Sequence, residues 1–331
     1  MRGLDLERLR AYLGSDAELT GRMFAGGRSN LTYAVTDGEK RWVLRRPPLG
    51  HVLPTAHDMA REHRVLEALS KAGFPAPRPV LLCTDTEVIG APFYLMEHVD
   101  GRIYRDVADL QALGPDALRG LILSLVDTLA DLHALDPYAI GLGDFGKPEG
   151  FNARQVSRWK KQLDASRSRD VAGIDELHAR LAVDIPAGGP GAVVHGDFRL
   201  DNVLIGDDLG INAVLDWEMS TLGDPLSDVA LMVVYAGLPL NVGGDGKPTA
   251  PLSVPGHPTI AELGARYAER SGRDVSDLHW YVGFAAFKLA VILEGVHYRY
   301  VQGQTVGEGF ETIGNLVGPL VMRGHEALEG H

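Results

Sequence analysis

The sequence predicts an α+β fold of two lobes, a small N-terminal lobe with a mixed β-sheet and one main helix, and a larger, mainly helical C-terminal lobe. Three observations support this prediction. Strand alternation and one helical pattern come first along the chain, long amphipathic helical patterns follow them, and 331 residues with 45% hydrophobic content exceed what one hydrophobic core usually holds. We place the lobes at residues 1–97 and 98–331.

The N-terminal lobe is predicted to begin with a β-hairpin. Residues 31–35 and 41–45 follow the pattern of strands, and the turn Asp37-Gly38 between them is typical of hairpins. Apolar residues at helical spacing then predict a helix over residues 58–71.

Two short strands, at residues 80–82 and 93–96, are predicted to complete this lobe, and residues 97–101 to connect it to the next. The C-terminal lobe is predicted from two amphipathic helical patterns at residues 110–133 and 151–168. A helical lobe of this kind needs such patterns to bury one face of each helix.

Composition limits the partners and the compartment. A formal net charge of -12 and a pI near 5.4 provide no positive field for nucleic acid or an anionic membrane. One cysteine, Cys83, excludes an internal disulfide and a cysteine-based zinc site. Residues 1–13 lack the apolar segment of a secretory signal. The most apolar helical stretches, around residues 228–240 and 283–293, are short or carry Lys288, so we expect buried helices that do not cross a bilayer. We expect a cytoplasmic protein, monomeric or homodimeric, without nucleic acid or membrane partners.

The densest cluster of polar residues lies among short β runs at residues 191–195, 203–205 and 211–215. Residues 195–202 have the form H-x-D-x-x-x-x-N, and Asp216 follows the last run. Phosphoryl transfer needs a carboxylate that accepts the proton of the attacking hydroxyl, and oxygen ligands for the Mg²⁺ that bridges the nucleotide phosphates. This pattern supplies both.

The segment resembles the catalytic loop and metal-binding segment shared by protein kinases and the aminoglycoside phosphotransferase and choline kinase-like family. The resemblance implies a protein-kinase-like fold, ATP and Mg²⁺ as cofactors, Asp197 as catalytic base, and Asn202 and Asp216 as magnesium ligands. It also implies that Arg199 neutralises charge on the γ-phosphate. The alternative is structural: His195 and Asp197 form a buried pair without chemistry, and Arg199 is a surface residue.

The resemblance gives the hairpin a role in nucleotide binding. In this architecture a strand supplies a cation to the phosphates, and a helix supplies a carboxylate that holds the cation. Strand alternation places Val43 and Arg45 on one face, so we assign Arg45 as the cation, Glu62 as its partner and Val43 as an adenine contact. The alternative is that Arg45 and Glu62 are both solvated.

Further nucleotide contacts are expected before and after this hairpin. Gly27, Ser29 and Asn30 lie in a turn where backbone N–H groups approach phosphates. The resemblance extends to the connector, where it places Glu97 and Val99 at the nucleotide.

The segment at residues 223–228 resembles the G-D-P-x-x-D stretch of the same family. There the acidic residues brace the catalytic loop through backbone hydrogen bonds, which assigns this role to Asp224 and Asp228. A role of Asp228 in capping the following helix is compatible with it.

The run at residues 215–225 looks most like the kinase domains associated with acyl-CoA dehydrogenases, which implies a hydroxyacyl-type small-molecule acceptor. Basic and aromatic residues of the helical lobe are candidate acceptor contacts, namely Trp159, Lys160, Lys161, Tyr298 and Arg299. An aminoglycoside kinase and a nucleotide-binding pseudokinase that acts as a regulatory module remain the alternatives. A protein kinase is disfavoured because no Asp-Phe-Gly and Ala-Pro-Glu segments bracket an activation loop.

Overall fold

The computed structural model describes residues 1–24, 30–49, 57–239, 241–242, 248–304 and 310–330. The chain divides into two compact units. The first, which we call the sheet unit, comprises Met1–Ile103, Tyr138–Leu142 and Asp201–Ser220. The second, the helical unit, comprises Tyr104–Pro137, Gly143–Leu200 and Thr221–His331.

The described residues form the following strands and helices, each numbered in chain order. The strands are β1 (Thr20–Met23), β2 (Leu31–Thr36), β3 (Arg41–Arg46), β4 (Pro79–Cys83), β5 (Phe93–Glu97), β6 (Ala192–Val194), β7 (Val203–Ile205), β8 (Ile211–Val214), β9 (Thr221–Gly223), β10 (Asn241–Val242) and β11 (Pro248–Thr249). The helices are α1 (Leu6–Leu13), α2 (Met59–Lys71), α3 (Thr86–Ile89), α4 (Val107–Leu113), α5 (Pro115–Ala134), α6 (Phe151–Ser166), α7 (Ile174–Val183), α8 (Leu226–Ala236), α9 (Ile260–Ser271), α10 (Leu278–Val301) and α11 (Val317–Leu328).

Among the described residues of the sheet unit, five strands form a sheet in the order β1-β2-β3-β5-β4. The predicted hairpin is confirmed, since Thr36 pairs with Arg41 across the Asp37-Gly38 turn. Every pairing within this sheet is antiparallel, so the sheet is not mixed in strand direction. One face of the sheet packs onto α1, and the core includes Leu9, Leu19, Tyr33, Leu44, Phe93 and Leu95.

The main helix of the sheet unit, α2, matches the predicted range. Asp58 caps its first turn by accepting a hydrogen bond from the Arg61 N–H at 3.0 Å. Its buried face carries Val65, Leu66 and Leu69, at the spacing that the sequence showed.

A second hairpin, β7 and β8, also belongs to the sheet unit. Its strands pair antiparallel, with Leu204 opposite Ala213. It is tied to the rest of the unit by a backbone bridge between Arg102 and Ile205 and by a hydrogen bond from the Val214 N–H to the Pro75 carbonyl at 2.8 Å.

The helical pattern predicted at residues 110–133 is divided at Gly114 into α4 and α5, because Gly114 adopts φ 79° and Pro115 begins a new helix. The pattern predicted at residues 151–168 forms α6, and α10 lies at the core of the helical unit. α10 is much longer than the apolar stretch that predicted it. Among the described helices it alone is apolar and long enough to cross a bilayer by those two criteria, and 72% of its most apolar window is buried inside the protein. Burial of this extent is the pattern of a core helix.

Candidate active site

Arg45 lies on β3 with its guanidinium among carboxylates of the sheet unit. Its Nε is 3.2 Å from Glu62 Oε2, and a terminal nitrogen is 2.9 Å from Asp216 Oδ1 and 3.8 Å from Glu218 Oε2. Only 10% of the Arg45 side chain and 3% of the Glu62 side chain are exposed. Buried charges require partners, and the predicted pairing of Arg45 with Glu62 is confirmed.

Two neutral side chains complete this group, which we call the Arg45 cluster. The Tyr94 hydroxyl donates to Glu62 Oε2 at 2.9 Å. Asn30 Nδ2 donates to Glu62 Oε1 at 2.9 Å and to Glu218 Oε2 at 3.0 Å. Both oxygens of Glu62 are therefore held, and the Asn30 amide joins carboxylates from two distant segments.

The charges of the Arg45 cluster do not balance. Burial raises the pKa of Glu62 to about 7, although Arg45 and the Tyr94 hydroxyl pull it down. Burial alone would lower the pKa of Arg45, but Tyr94, Glu62 and Asp216 outweigh burial and raise it. One guanidinium facing up to three carboxylates leaves an excess of negative charge, which favours a bound cation.

Asp216 lies two residues after the end of β8, with φ 66° and ψ 64°, in the left-handed region that few non-glycine residues adopt. Asn202 precedes β7, and its carbonyl accepts a hydrogen bond from the Leu215 N–H at 2.7 Å. The base of the second hairpin therefore brings positions 202 and 216 to the same end of that hairpin.

The donor types at this end fit Mg²⁺. Carboxylate and amide oxygens are hard ligands, and Mg²⁺ is usually held by one or two carboxylates together with water and substrate phosphates. The part of the chain that the structure describes holds no group of three or more His, Cys, Asp or Glu side chains able to bind a metal. Asn202 and Asp216 thus fit a metal that shares its coordination with a nucleotide, rather than an all-protein cage.

The loop after β6 is held by Asp228, which is buried in the first turn of α8. Asp228 accepts hydrogen bonds from the backbone N–H of His195 at 2.6 Å and from that of Gly196 at 2.8 Å. Gly196 has φ 84°, a conformation that disfavours any residue with a Cβ. The predicted bracing of the catalytic loop by Asp228 is confirmed.

His133 supports Asp228 from α5. Its Nε2 lies 3.3 Å from Asp228 Oδ2, and its Nδ1 lies 2.8 Å from the Tyr267 hydroxyl. Burial lowers the pKa of His133. Burial would raise the pKa of Asp228, but His133, His195 and the Gly196 N–H lower it. We assign a neutral His133 that donates from Nε2 to an ionised Asp228 and accepts at Nδ1 from the Tyr267 hydroxyl.

Asp228→Asn is expected to lower the free energy of unfolding by about 3 kcal/mol, since the new amide N–H₂ faces backbone donors that lose their ionised acceptor. Urea denaturation measures this change in the free energy of unfolding. Asp184→Asn, at an exposed position of the same unit, should change it by no more than about 0.5 kcal/mol. Equal effects of the two substitutions would refute the bracing role.

Asp224 does not brace the loop, and this prediction was wrong. Its carboxylate instead accepts hydrogen bonds from the Tyr281 hydroxyl at 2.6 Å, from Asn152 Nδ2 at 3.1 Å and from the Leu226 N–H at 3.1 Å. Asp224 precedes α8, so it joins α6 and α10 at the start of that helix, whereas Asp228 lies inside the helix.

Asp197 and Arg199 lie in the braced loop of the helical unit. The Asp197 N–H donates to His195 Nδ1 at 3.2 Å. The guanidinium carbon of Arg199 lies 4.3 Å from the centroid of the Tyr235 ring on α8, close enough for a cation–π interaction. Arg199 is therefore held against the protein and is not a freely solvated surface residue.

Lys288 on α10 is a functional candidate that the sequence analysis did not assign. Its ammonium lies 3.5 Å from the Gly196 carbonyl and 5.7 Å from the centroid of the Trp159 ring. Burial lowers the pKa of Lys288, while Asp228 and Asp197 raise it. A single lysine inside an apolar stretch was the available signal.

The five acceptor contacts that the sequence did predict have varied surroundings. Trp159 is 8% exposed. Lys160 is paired with Asp164 and Asp175. Lys161 and Arg299 are exposed, and Tyr298 is half-buried. Trp159 contacts Lys288, whose ammonium lies near the Gly196 carbonyl of the loop after β6.

The remaining predicted nucleotide contacts lie at separate points of the chain. Val43 is half-buried on β3, and Val99 is half-buried after β5. Glu97, at the end of β5, pairs with Arg78 at 3.1 Å. Gly27 and Ser29 lie outside the described residues.

Comparison with known proteins gives the family. The phosphotransferase enzyme family, APH, matches residues 20–252. "Acyl-CoA dehydrogenase family member 11" of Gallus gallus is 39% identical over 314 residues, covering 93% of this chain and 40% of that protein. The chain thus spans about two fifths of the length of this curated relative.

Solved structures agree with this result. A protein from Ralstonia eutropha assigned as an aminoglycoside phosphotransferase has a TM-score of 0.83 and 31% identity, with 98% of each chain covered. The aminoglycoside phosphotransferase APH(4)-Ia, in complex with AMP-PNP and hygromycin B, has a TM-score of 0.63 and 17% identity, covering 98% of this chain and 99% of its own, and shares the fold. The predicted protein-kinase-like fold and the predicted relationship to kinase domains of acyl-CoA dehydrogenases are confirmed, and the chain belongs to the APH family of phosphotransferase enzymes.

Proposed function

We propose that this chain is an ATP- and Mg²⁺-dependent kinase that transfers the γ-phosphate to a hydroxyl group of a small molecule. The observation that carries the proposal is the Arg45 cluster, in which a buried guanidinium bridges Glu62 of α2 and Asp216. Burying these charges has a desolvation cost that their pairing only partly offsets, and such charge clusters are frequent at functional sites. The negative excess of the cluster fits a metal ion with a nucleotide. The fold relative APH(4)-Ia binds AMP-PNP, an ATP analogue.

In this proposal Asp197 is the catalytic base. Its carboxylate accepts the proton of the acceptor hydroxyl as the hydroxyl oxygen bonds to the γ-phosphorus. The bond from the γ-phosphorus to the bridging oxygen of ADP breaks, and ADP leaves with the electron pair. Arg199 neutralises charge on the transferred group. The bracing of His195 and Gly196 by Asp228 keeps this loop in place.

Asn202 and Asp216 are proposed to hold Mg²⁺, which would offset the negative charge of the nucleotide phosphates. Arg45 is the proposed cation for the phosphates, with Glu62 holding it. The remaining nucleotide contacts proposed from the sequence are Gly27, Ser29, Asn30, Val43, Glu97 and Val99.

For the acceptor we favour a hydroxyacyl-type metabolite. The support is the likeness to acyl-CoA dehydrogenase family members over more than nine tenths of this chain. A basic group near the loop, Lys288, is compatible with an acceptor that carries a carboxylate or phosphate. An aminoglycoside acceptor is the second candidate, because APH(4)-Ia binds hygromycin B and shares the fold. We further propose a cytoplasmic monomer or homodimer without nucleic acid or membrane partners.

Mg²⁺ with AMP-PNP is expected to raise the melting temperature, because a ligand at about 100 times its Kd stabilises the native state by about 2.7 kcal/mol. Removing Mg²⁺ with EDTA should abolish most of the increase, and so should Asp216→Asn. Differential scanning fluorimetry measures each increase relative to the same protein without ligand. An increase that neither EDTA nor Asp216→Asn reduces would contradict the metal assignment.

A further inference from the structure

α8 carries two polar side chains that contact the catalytic loop. Asp228 and Tyr235 are seven residues apart, about two helical turns, so they lie on the same side of α8. Asp228 holds the backbone at the start of the loop, through His195 and Gly196. Tyr235 lies beside Asp197 and Arg199, the two candidate reactive side chains of the loop.

Tyr235 contacts both of those side chains. Its ring lies under the Arg199 guanidinium at 4.3 Å. Its hydroxyl is hydrogen-bonded to Asp197 and to Arg199. A tyrosine hydroxyl donates to a carboxylate and accepts from a guanidinium, so one oxygen joins the two groups. Burial and the negative charge of Asp197 raise the pKa of Tyr235, although Arg199 opposes this, and the hydroxyl keeps its proton.

We propose that Tyr235 is a positioning residue that fixes the Asp197 carboxylate and the Arg199 guanidinium relative to each other for phosphoryl transfer. The proposal rests on the proposed kinase function. A carboxylate that accepts a hydrogen bond is restrained in its orientation. Because misplacement of a reacting group by about 1 Å costs up to about 10²-fold in rate, this restraint keeps the geometry that proton transfer needs.

Two substitutions separate the contribution of the Tyr235 ring from that of its hydroxyl. Tyr235→Phe keeps the ring under Arg199 and removes only the hydroxyl. Tyr235→Leu removes both contacts. Tyr300→Phe, on α10 at a position that is 40% exposed, is the matched control for loss of a hydroxyl.

The separate effects on kcat and on KM provide a readout that a purely structural role would not give. Loss of the hydroxyl in Tyr235→Phe leaves the ring under Arg199, and Asp228 still holds the backbone of the loop. A positioning role therefore predicts a lower kcat for a folded protein whose KM for ATP is nearly unchanged.

The experiment compares wild type, the two Tyr235 variants and Tyr300→Phe in steady-state kinetics, using Mg-ATP hydrolysis and any acceptor that wild type phosphorylates. Tyr235→Phe is expected to lower kcat about tenfold with KM for ATP changed by less than about twofold, and Tyr235→Leu to lower kcat further. The control should retain wild-type kcat.

Each other outcome overturns a distinct claim. If Tyr235→Phe is folded by circular dichroism and keeps the wild-type kcat, the positioning role is refuted while the kinase function stands. If kcat is unchanged and only KM for ATP rises, the hydroxyl acts on nucleotide binding and the positioning role is also refuted. If wild type neither hydrolyses ATP nor phosphorylates any acceptor, the kinase function fails and the positioning role fails with it.

Discussion

Asp197→Asn should reduce kcat by about 10²- to 10⁴-fold, the usual contribution of a positioned general base. Asparagine has the same shape but cannot accept the proton of the acceptor hydroxyl. The loop itself should stay in place, because Asp228 holds the backbone N–H groups of His195 and Gly196 independently of the Asp197 side chain. KM for Mg-ATP should therefore change little.

Steady-state kinetics with a phosphorylated acceptor measures this effect. Asp207→Asn, in the exposed turn between β7 and β8, makes the same chemical change outside the proposed site and should retain wild-type kcat. An Asp197→Asn protein with undiminished kcat would remove the base from the mechanism.

Arg45→Met should lower the free energy of unfolding by about 3–5 kcal/mol, because it leaves buried acidic groups without their cation. Glu62 is 3% exposed, and Asp216 is also within 2.9 Å of Arg45. Removing both partners, in Arg45→Met/Glu62→Met, should recover part of the loss, since no unpaired buried charge then remains at position 62.

β3 offers a matched control. Arg41 on the same strand forms an ion pair with Asp100 in which both side chains are more than half exposed. Arg41→Met should cost less than about 1 kcal/mol. Urea denaturation of the four proteins tests the difference, and an Arg45→Met protein no less stable than Arg41→Met would show that the cluster does not stabilise the fold.

Local patterns were enough to predict much of the sheet unit. The Asp37-Gly38 turn specifies a hairpin through its backbone preference, and Asp58 marks the start of α2 as an N-cap. Strand alternation and the family resemblance together identified the pair of Arg45 with Glu62. These features depend on residues close in sequence or on a motif with a known arrangement.

Other features depend on contacts between distant residues, which no local pattern reveals. Glu218 and Tyr94 join the Arg45 cluster from separate segments, and Asn30 reaches Glu218 across 188 positions. The sequence predicted a helix only over the apolar stretch 283–293, because the charged residue Glu294 follows it. α10 extends from Leu278 to Val301.

The surroundings of Glu294 explain why α10 continues past this residue. Glu294 is fully buried in α10, with its carboxylate accepting hydrogen bonds from Ser168 Oγ at 2.7 Å and from Arg169 Nε at 3.1 Å. A buried charge with these partners is compatible with a continuous core helix.

The most direct test of the kinase assignment is mass spectrometry of hydroxyacyl and aminoglycoside acceptors after incubation with the protein, ATP and Mg²⁺. We expect one acceptor to gain a single phosphoryl group with wild type, and no such product to form with Asp197→Asn or Asp216→Asn. Product formation that persists in both variants, or no phosphorylated acceptor with wild type, would contradict it.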